Sequence, residues 1–150
     1  MSNIRDFFTS VTTDQPANLS ITDEAEACAA VLFACQRADE INGKNGQAAF
    51  RNTLKNRNIF IGTDPELLMV SVGKCFEAAG SSAALIDAAI GAIREQTRLP
   101  LFYHCLDVIL ADGLVTPQED KVFKYLKKKF KVHDEIADRA LEVLVVKNQL

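Results

Sequence analysis

The chain of 150 residues lacks several things at once, and each absence narrows its class. It has no apolar run of the roughly 18 residues needed to cross a bilayer. The longest apolar stretches, 27–35 and 99–110, fall short, and the second is interrupted by His104 and Asp107. Basic excess is missing too: the formal charge is −3, whereas a generic nucleic-acid binder carries a positive field. We therefore expect no nucleic-acid partner. The four cysteines (Cys28, Cys35, Cys75 and Cys105) form no CxxC pair, which removes zinc-ribbon and thioredoxin-like readings. All four lie in apolar helical patterns, where a free thiol behaves as a small hydrophobe, and we expect them buried and reduced. The start, MSNIRDFFTSV, has neither the cationic opening nor the apolar block of a secretory signal, so the expected compartment is the cytoplasm. Phosphate and nucleophile motifs are also wanting. Gly73-Lys74 has no upstream glycine and no following Ser or Thr, and neither GxGxxG nor GxSxG occurs. The expectation is a non-enzymatic protein.

Strand alternation is nearly absent as well, confined to Asn58–Gly62 and short enough to be a connection. What is present is helical periodicity. The composition, 48% hydrophobic and 25% charged, is that of an ordinary globular chain, and the length fits one domain. Residues 1–21 read as a leader in which Ile4, Phe7, Phe8 and Val11 recur at helical spacing, followed by a TDQPANLS loop. Residues 22–150 hold about seven helices. The first is capped by Thr22 and runs to about Asp39. The second covers about Asn45–Lys55. The third opens with Asp64-Pro65 and ends before Gly80. The fourth starts near Ser82 and continues through AALIDAAIGAIRE. The fifth spans about Leu99–Ala111, the sixth Thr116 to about Lys131, and the seventh starts at Asp134. The first and fifth are apolar almost all round at their centres, so others must surround them.

The two central helices end alike, in Ala38-Asp39 and Ala111-Asp112, with the aspartates 73 positions apart. At the same offset Phe50 falls on Phe123 and Phe33 on Leu106. After each Ala-Asp come a second helix, a brief link and a third helix opened by Asp64 or Asp134. The pattern predicts an all-α single-domain bundle with two pseudo-repeated three-helix halves, joined by the fourth helix.

The most specific stretch is ADGLVTPQE, Ala111–Glu119. Its Asp-Gly-x-Val-x-x-x-Glu spacing is that of the second half of an EF-hand loop. Val108 and Leu110 occupy the first two ligand positions, so it is not an EF-hand. A hard cation could still be held by the carboxylates of Asp112 and Glu119, the carbonyl of Leu114 and water, with Gly113 turning the chain. The same letters also spell a capping box, Thr116-Pro117-Gln118-Glu119. The two readings are compatible because a carboxylate has two oxygens. In the first half Glu40 replaces the glycine and Gly46 stands where Glu119 does, leaving Asp39, Glu40 and Asn42 as oxygen donors.

Two further features carry less. His104 and Asp107 lie about 60° apart on their helix, and Asp112 lies about 140° from Asp107. Two ligands are too few for Zn²⁺, so a hydrogen-bonded or solvent-facing pair is expected. Lys121, Lys124, Lys128 and Lys131 line one face of the sixth helix, with Lys127 and Lys129 beside them. That face is a solvated one, or alternatively a landing patch for an acidic partner or an anionic membrane.

LADGLVTPQE, the apolar helix before it, and the weaker copy AVLFACQRADE together resemble the TerB-like family of tellurite-resistance proteins, over roughly residues 23–148. The resemblance implies an all-helical fold of seven helices in two pseudo-symmetric halves. It also implies a part in tellurite or other stress resistance and membership of protein complexes at the cytoplasmic membrane face. By motif it places a divalent cation (Ca²⁺, Mg²⁺ or Zn²⁺) on Asp112 and Glu119, with Asp39 as the counterpart. The alternative function is a metal-independent helical scaffold that holds a partner protein or the membrane surface. Nothing in the sequence excludes a homodimer.

Overall fold

The computed structural model describes residues 19–38, 43–111 and 116–150. Among them are seven α-helices and no strand. They are α1 (Glu24–Ala38), α2 (Gly43–Asn56), α3 (Pro65–Ala79), α4 (Ser82–Ile90), α5 (Glu95–Ile109), α6 (Pro117–Phe130) and α7 (Asp134–Lys147). A single 3₁₀ turn, Asn58–Phe60, follows α2 and accounts for the short alternating stretch. The expected all-α bundle is the observed fold.

The two apolar helices are central. α1 touches α2, α3, α4 and α5, while α5 touches α1, α2, α6 and α7. Residues Ala27–Leu32 and Ala34–Cys35 of α1 are buried on every side, which only a helix enclosed by others can be. In α5, Leu101, Phe102, Cys105, Leu106, Val108 and Ile109 do the same work. Each half has its own aromatic cluster. Phe33 stands edge-on to Phe50 and tilts against Phe76, with centroids 6.2 and 5.7 Å away. In the second half Phe102 meets Phe123 and Phe130 at 6.1 and 6.0 Å. Of the pairs matched by sequence offset, Phe50 and Phe123 are both buried, and Leu106 is buried where Phe33 is half-buried.

Several boundaries differ from expectation. α1 is capped by Asp23, whose carboxylate accepts the Glu26 N–H at 2.9 Å, one residue later than Thr22. The fourth helix stops at Ile90 instead of running on through Gly91–Glu95. Its last carbonyls are taken by a side chain from the next helix, since Arg98 donates to Ile90 O and Ile93 O, both at 3.2 Å. Ile93 is buried beside this turn, and Glu24 of α1 accepts the Arg94 N–H at 2.8 Å. α5 can therefore begin at Glu95, four residues earlier than expected, with Pro100 inside it. The two helix-opening aspartates are not equivalent either. Asp64 caps α3, accepting from the N–H of Glu66 and Leu67, whereas His133 holds the cap position of α7 and Asp134 lies one residue inside. Asp134 instead pairs with Lys127 at 3.1 Å.

Of the four thiols, Cys28, Cys35 and Cys105 are buried, and none is in a disulfide. Cys75 is only partly buried, contrary to expectation, because α3 is a shell helix with one face open. No helix among the described residues is long and apolar enough to cross a membrane. The leader that sequence assigns to 1–21 lies almost entirely outside the described residues. Its last part is visible: Ile21 is buried and Leu19 packs on the core.

Candidate functional site

The start of α6, on the described side of the α5–α6 corner, is capped as its sequence suggests. α5 closes with the Leu110 N–H bonded to Leu106 O at 2.8 Å. α6 opens with Thr116 in extended backbone and Pro117 in its first turn, where a missing N–H costs nothing. The Thr116 hydroxyl accepts the Glu119 N–H at 3.1 Å, and Glu119 Oε1 accepts the Thr116 N–H at 3.0 Å. This is the capping box, complete in both directions. Glu119 is 6% exposed and is the one charged residue classed as buried among those described. A carboxylate in such a place must be satisfied, and the two end N–H dipoles of α6 favour its charge.

Asp112, the second expected ligand, and Asp39, the expected counterpart in the first half, lie outside the described residues, as do Gly113 and Leu114. Among the described residues no three His, Cys, Asp or Glu side chains converge as a metal-ligating group. Gly46, which occupies the place of Glu119 in the first half, has a packing role. A Cβ there would meet Val108 O at 3.3 Å, so the glycine lets α2 lie close against α5.

The His104–Asp107 strip separates. Asp107 accepts from Lys147 Nζ at 3.0 Å and from the Asn148 side chain at 3.3 Å, joining α5 to the end of α7. His104 instead lines two clefts together with Arg57. Burial, and then the Arg57 guanidinium, hold its imidazole below the usual 6.5, with Asp107 acting weakly the other way. It is therefore a neutral ring at neutral pH. The missed signal was Lys147: a cation 40 positions downstream cannot be read from helical spacing around Asp107.

His104 sits where two clefts meet. The first, about 440 Å³, lies between α1, α2, the 3₁₀ turn and the start of α5, over Cys28, Leu32, Phe60 and Leu101. The second, about 410 Å³, runs along α2 and α5 past Asn45, Asn52, Asp107 and Lys147. Thr53, Arg57 and His104 line both. Cys28 on the floor is a poor nucleophile, since burial, with the carboxylates of Glu24 and Asp23 nearby, pushes its thiol up to about 12. The Thr53 hydroxyl is spent on Ala49 O at 2.9 Å.

Half of the lysine face is engaged internally. Lys124 pairs with Asp120, Lys127 with Asp134 and Lys129 with Asp87, at 2.9 to 3.1 Å. Lys127 and Lys129 also lie over the rings of Phe123 and Tyr125. Lys121, Lys128 and Lys131 remain exposed.

Comparison of the chain with protein-family models, curated proteins and solved structures gave no match.

Proposed function

We propose that this chain is a non-enzymatic TerB-like helical module of a stress response, in which a divalent cation at the α5–α6 corner stiffens that turn. Asp112 and Glu119 would supply carboxylates, with Asp39 the lesser counterpart at the α1–α2 corner. The observation that supports this reading is Glu119: a buried carboxylate in the first turn of α6, two positions after Pro117, with one oxygen committed to the Thr116 N–H. A carboxylate–carbonyl donor set is hard and suits Ca²⁺ or Mg²⁺ better than a thiolate-seeking ion. Calorimetric titration of chelator-stripped protein with Ca²⁺, Mg²⁺ and Zn²⁺ tests it. The reading expects binding tighter than millimolar that Asp112→Asn abolishes, and it fails if binding is weaker or indifferent to that change.

A metal-independent scaffold is the second reading, and one observation favours it. Tyr103, Ile136, Val143 and Val146 leave apolar surface exposed along α5 and α7, 38 to 64% accessible. Such a module would hold a partner protein on this strip, or on the lysines of α6. Pull-downs with Lys121, Lys128 and Lys131 neutralised would leave partners unchanged if the lysine face has no part in it.

A further inference from the structure

The paired clefts run along α2 and α5, the second as far as Ala111 at the end of α5, and call for an occupant of their own. One compartment is floored by Cys28, Leu32, Phe60 and Leu101, and is apolar. The other is walled by the amides of Asn45 and Asn52 and by the Asp107–Lys147 pair. Their shared boundary carries Arg57 and His104. The charges around this boundary nearly cancel. Arg94, at the mouth of the apolar compartment, is held by Glu24 at 3.0 Å, and Lys147 by Asp107 at 3.0 Å. His104 is neutral. Arg57 forms no salt bridge with any described residue, so one positive charge is left uncompensated where apolar and polar compartments join.

A second feature points the same way. Pro100 has no N–H, so the Gln96 carbonyl lacks the helical partner that residue 100 would give, and both residues line the apolar compartment. The wall therefore adds a proline ring to the apolar lining. A volume of about 440 Å³ falls in the range of small-molecule sites, roughly 300–1,000 Å³.

We propose that this double cleft binds an amphipathic monoanion: an apolar chain over Cys28, Leu32, Phe60 and Leu101, and a carboxylate head paired with the Arg57 guanidinium beside His104. Charge selects the head. One unpaired guanidinium matches one carboxylate, and its planar fork can donate two parallel hydrogen bonds. Area selects the tail, since an ion bound by an exposed arginine alone gains little in water.

The test is a titration of the full chain with decanoate, read by calorimetry and by amide chemical shifts. The expected result is saturable one-to-one binding, with shifts at Phe60, Leu101 and His104. Acetate, with the head and no tail, and decan-1-ol, with the tail and no charge, should each bind at least tenfold more weakly. Arg57→Gln, at an exposed position, should weaken decanoate binding at least tenfold, while Lys55→Gln, two residues earlier near the end of α2, changes it less than twofold. Circular dichroism establishes that both variants are folded. Non-saturable binding, equal affinity in Arg57→Gln, or shifts centred on Tyr103 and Val143 would each overturn the proposal. So would binding that emerges only in Phe7→Ala/Phe8→Ala, because the occupant would then be the chain's own leader. None of these outcomes bears on metal binding at Asp112 and Glu119.

Discussion

Glu119 concentrates the functional question in one side chain. Its carboxylate closes the capping box and is also the one described residue of the proposed cation site. The two roles separate by substitution. A glutamine oxygen can still accept the Thr116 N–H, so Glu119→Gln should keep α6 capped and cost about 1 kcal/mol or less, for the charge lost at the helix N-terminus. Thr116→Ala removes the hydroxyl that caps Glu119 N–H and should cost about 1 kcal/mol, read from urea denaturation. If the corner holds a cation, Glu119→Gln weakens its binding while the helix stays capped. His104 gives a second prediction. Its folded-state affinity for protons is lowered by burial and by Arg57, so the unfolded chain takes up the proton more readily. Its contribution to stability is whole above the unfolded value near 6.5 and is lost as pH falls through that value toward the lowered folded one. Urea midpoints measured from pH 8 to 5 should therefore fall, and His104→Gln should flatten that decline. Glu24, drawn below its usual 4.5 by hydrogen bonds from Arg94, acts in a separate window: its contribution is present above 4.5 and lost below it. The residues of the capping box were legible because a cap is a contact over three positions. His104 was legible as a polar residue on an apolar helix. The cations that lower its proton affinity were not, because Arg57 and Lys147 come near it only through the fold.

Among the elements, the helices were readable wherever a local stop signal existed. Asp64-Pro65 opens α3, Gly80 ends it at φ 92°, and Thr116-Pro117 opens α6. The misplaced boundary, between α4 and α5, is fixed by groups from elsewhere: Arg98 on the carbonyls of Ile90 and Ile93, and Glu24 on the Arg94 N–H. Local propensity favours one long helix through AALIDAAIGAIRE, and tertiary contacts cut it in two. The end of α6 offers a test at this scale. Lys131 ends the helix in left-handed backbone, φ 55° and ψ 46°, and its N–H reaches back to Lys127 O and Lys128 O. A side chain there is strained and glycine is not, so Lys131→Gly should stabilise the protein by about 1 kcal/mol. A higher urea midpoint with unchanged slope would be the signature, and a lower one would mean that the lysine stem contributes packing that offsets the strain.

At the level of the whole molecule, the architecture is two three-helix units, each built on one largely buried helix, with α4 between them in the chain and α5 packed against both α1 and α2. The enclosed helices were evident from composition alone, since nothing else explains CAAVLFAC and LFYHCLDVIL in a chain of balanced charge. The duplication is clearer in the arrangement of helices than in matched positions. Phe50 and Phe123 coincide, but the two aromatic clusters are otherwise assembled from different sites, and Gly46 packs where Glu119 caps. The proposed cation role therefore falls chiefly to the second half. The most direct measurement is the metal content of protein purified without chelator, by plasma mass spectrometry, for the natural chain and for Asp112→Asn. The account predicts close to one divalent ion per chain in the first and a small fraction of that in the second, at equal helicity. Metal at trace levels in both, or at the same stoichiometry in both, contradicts it.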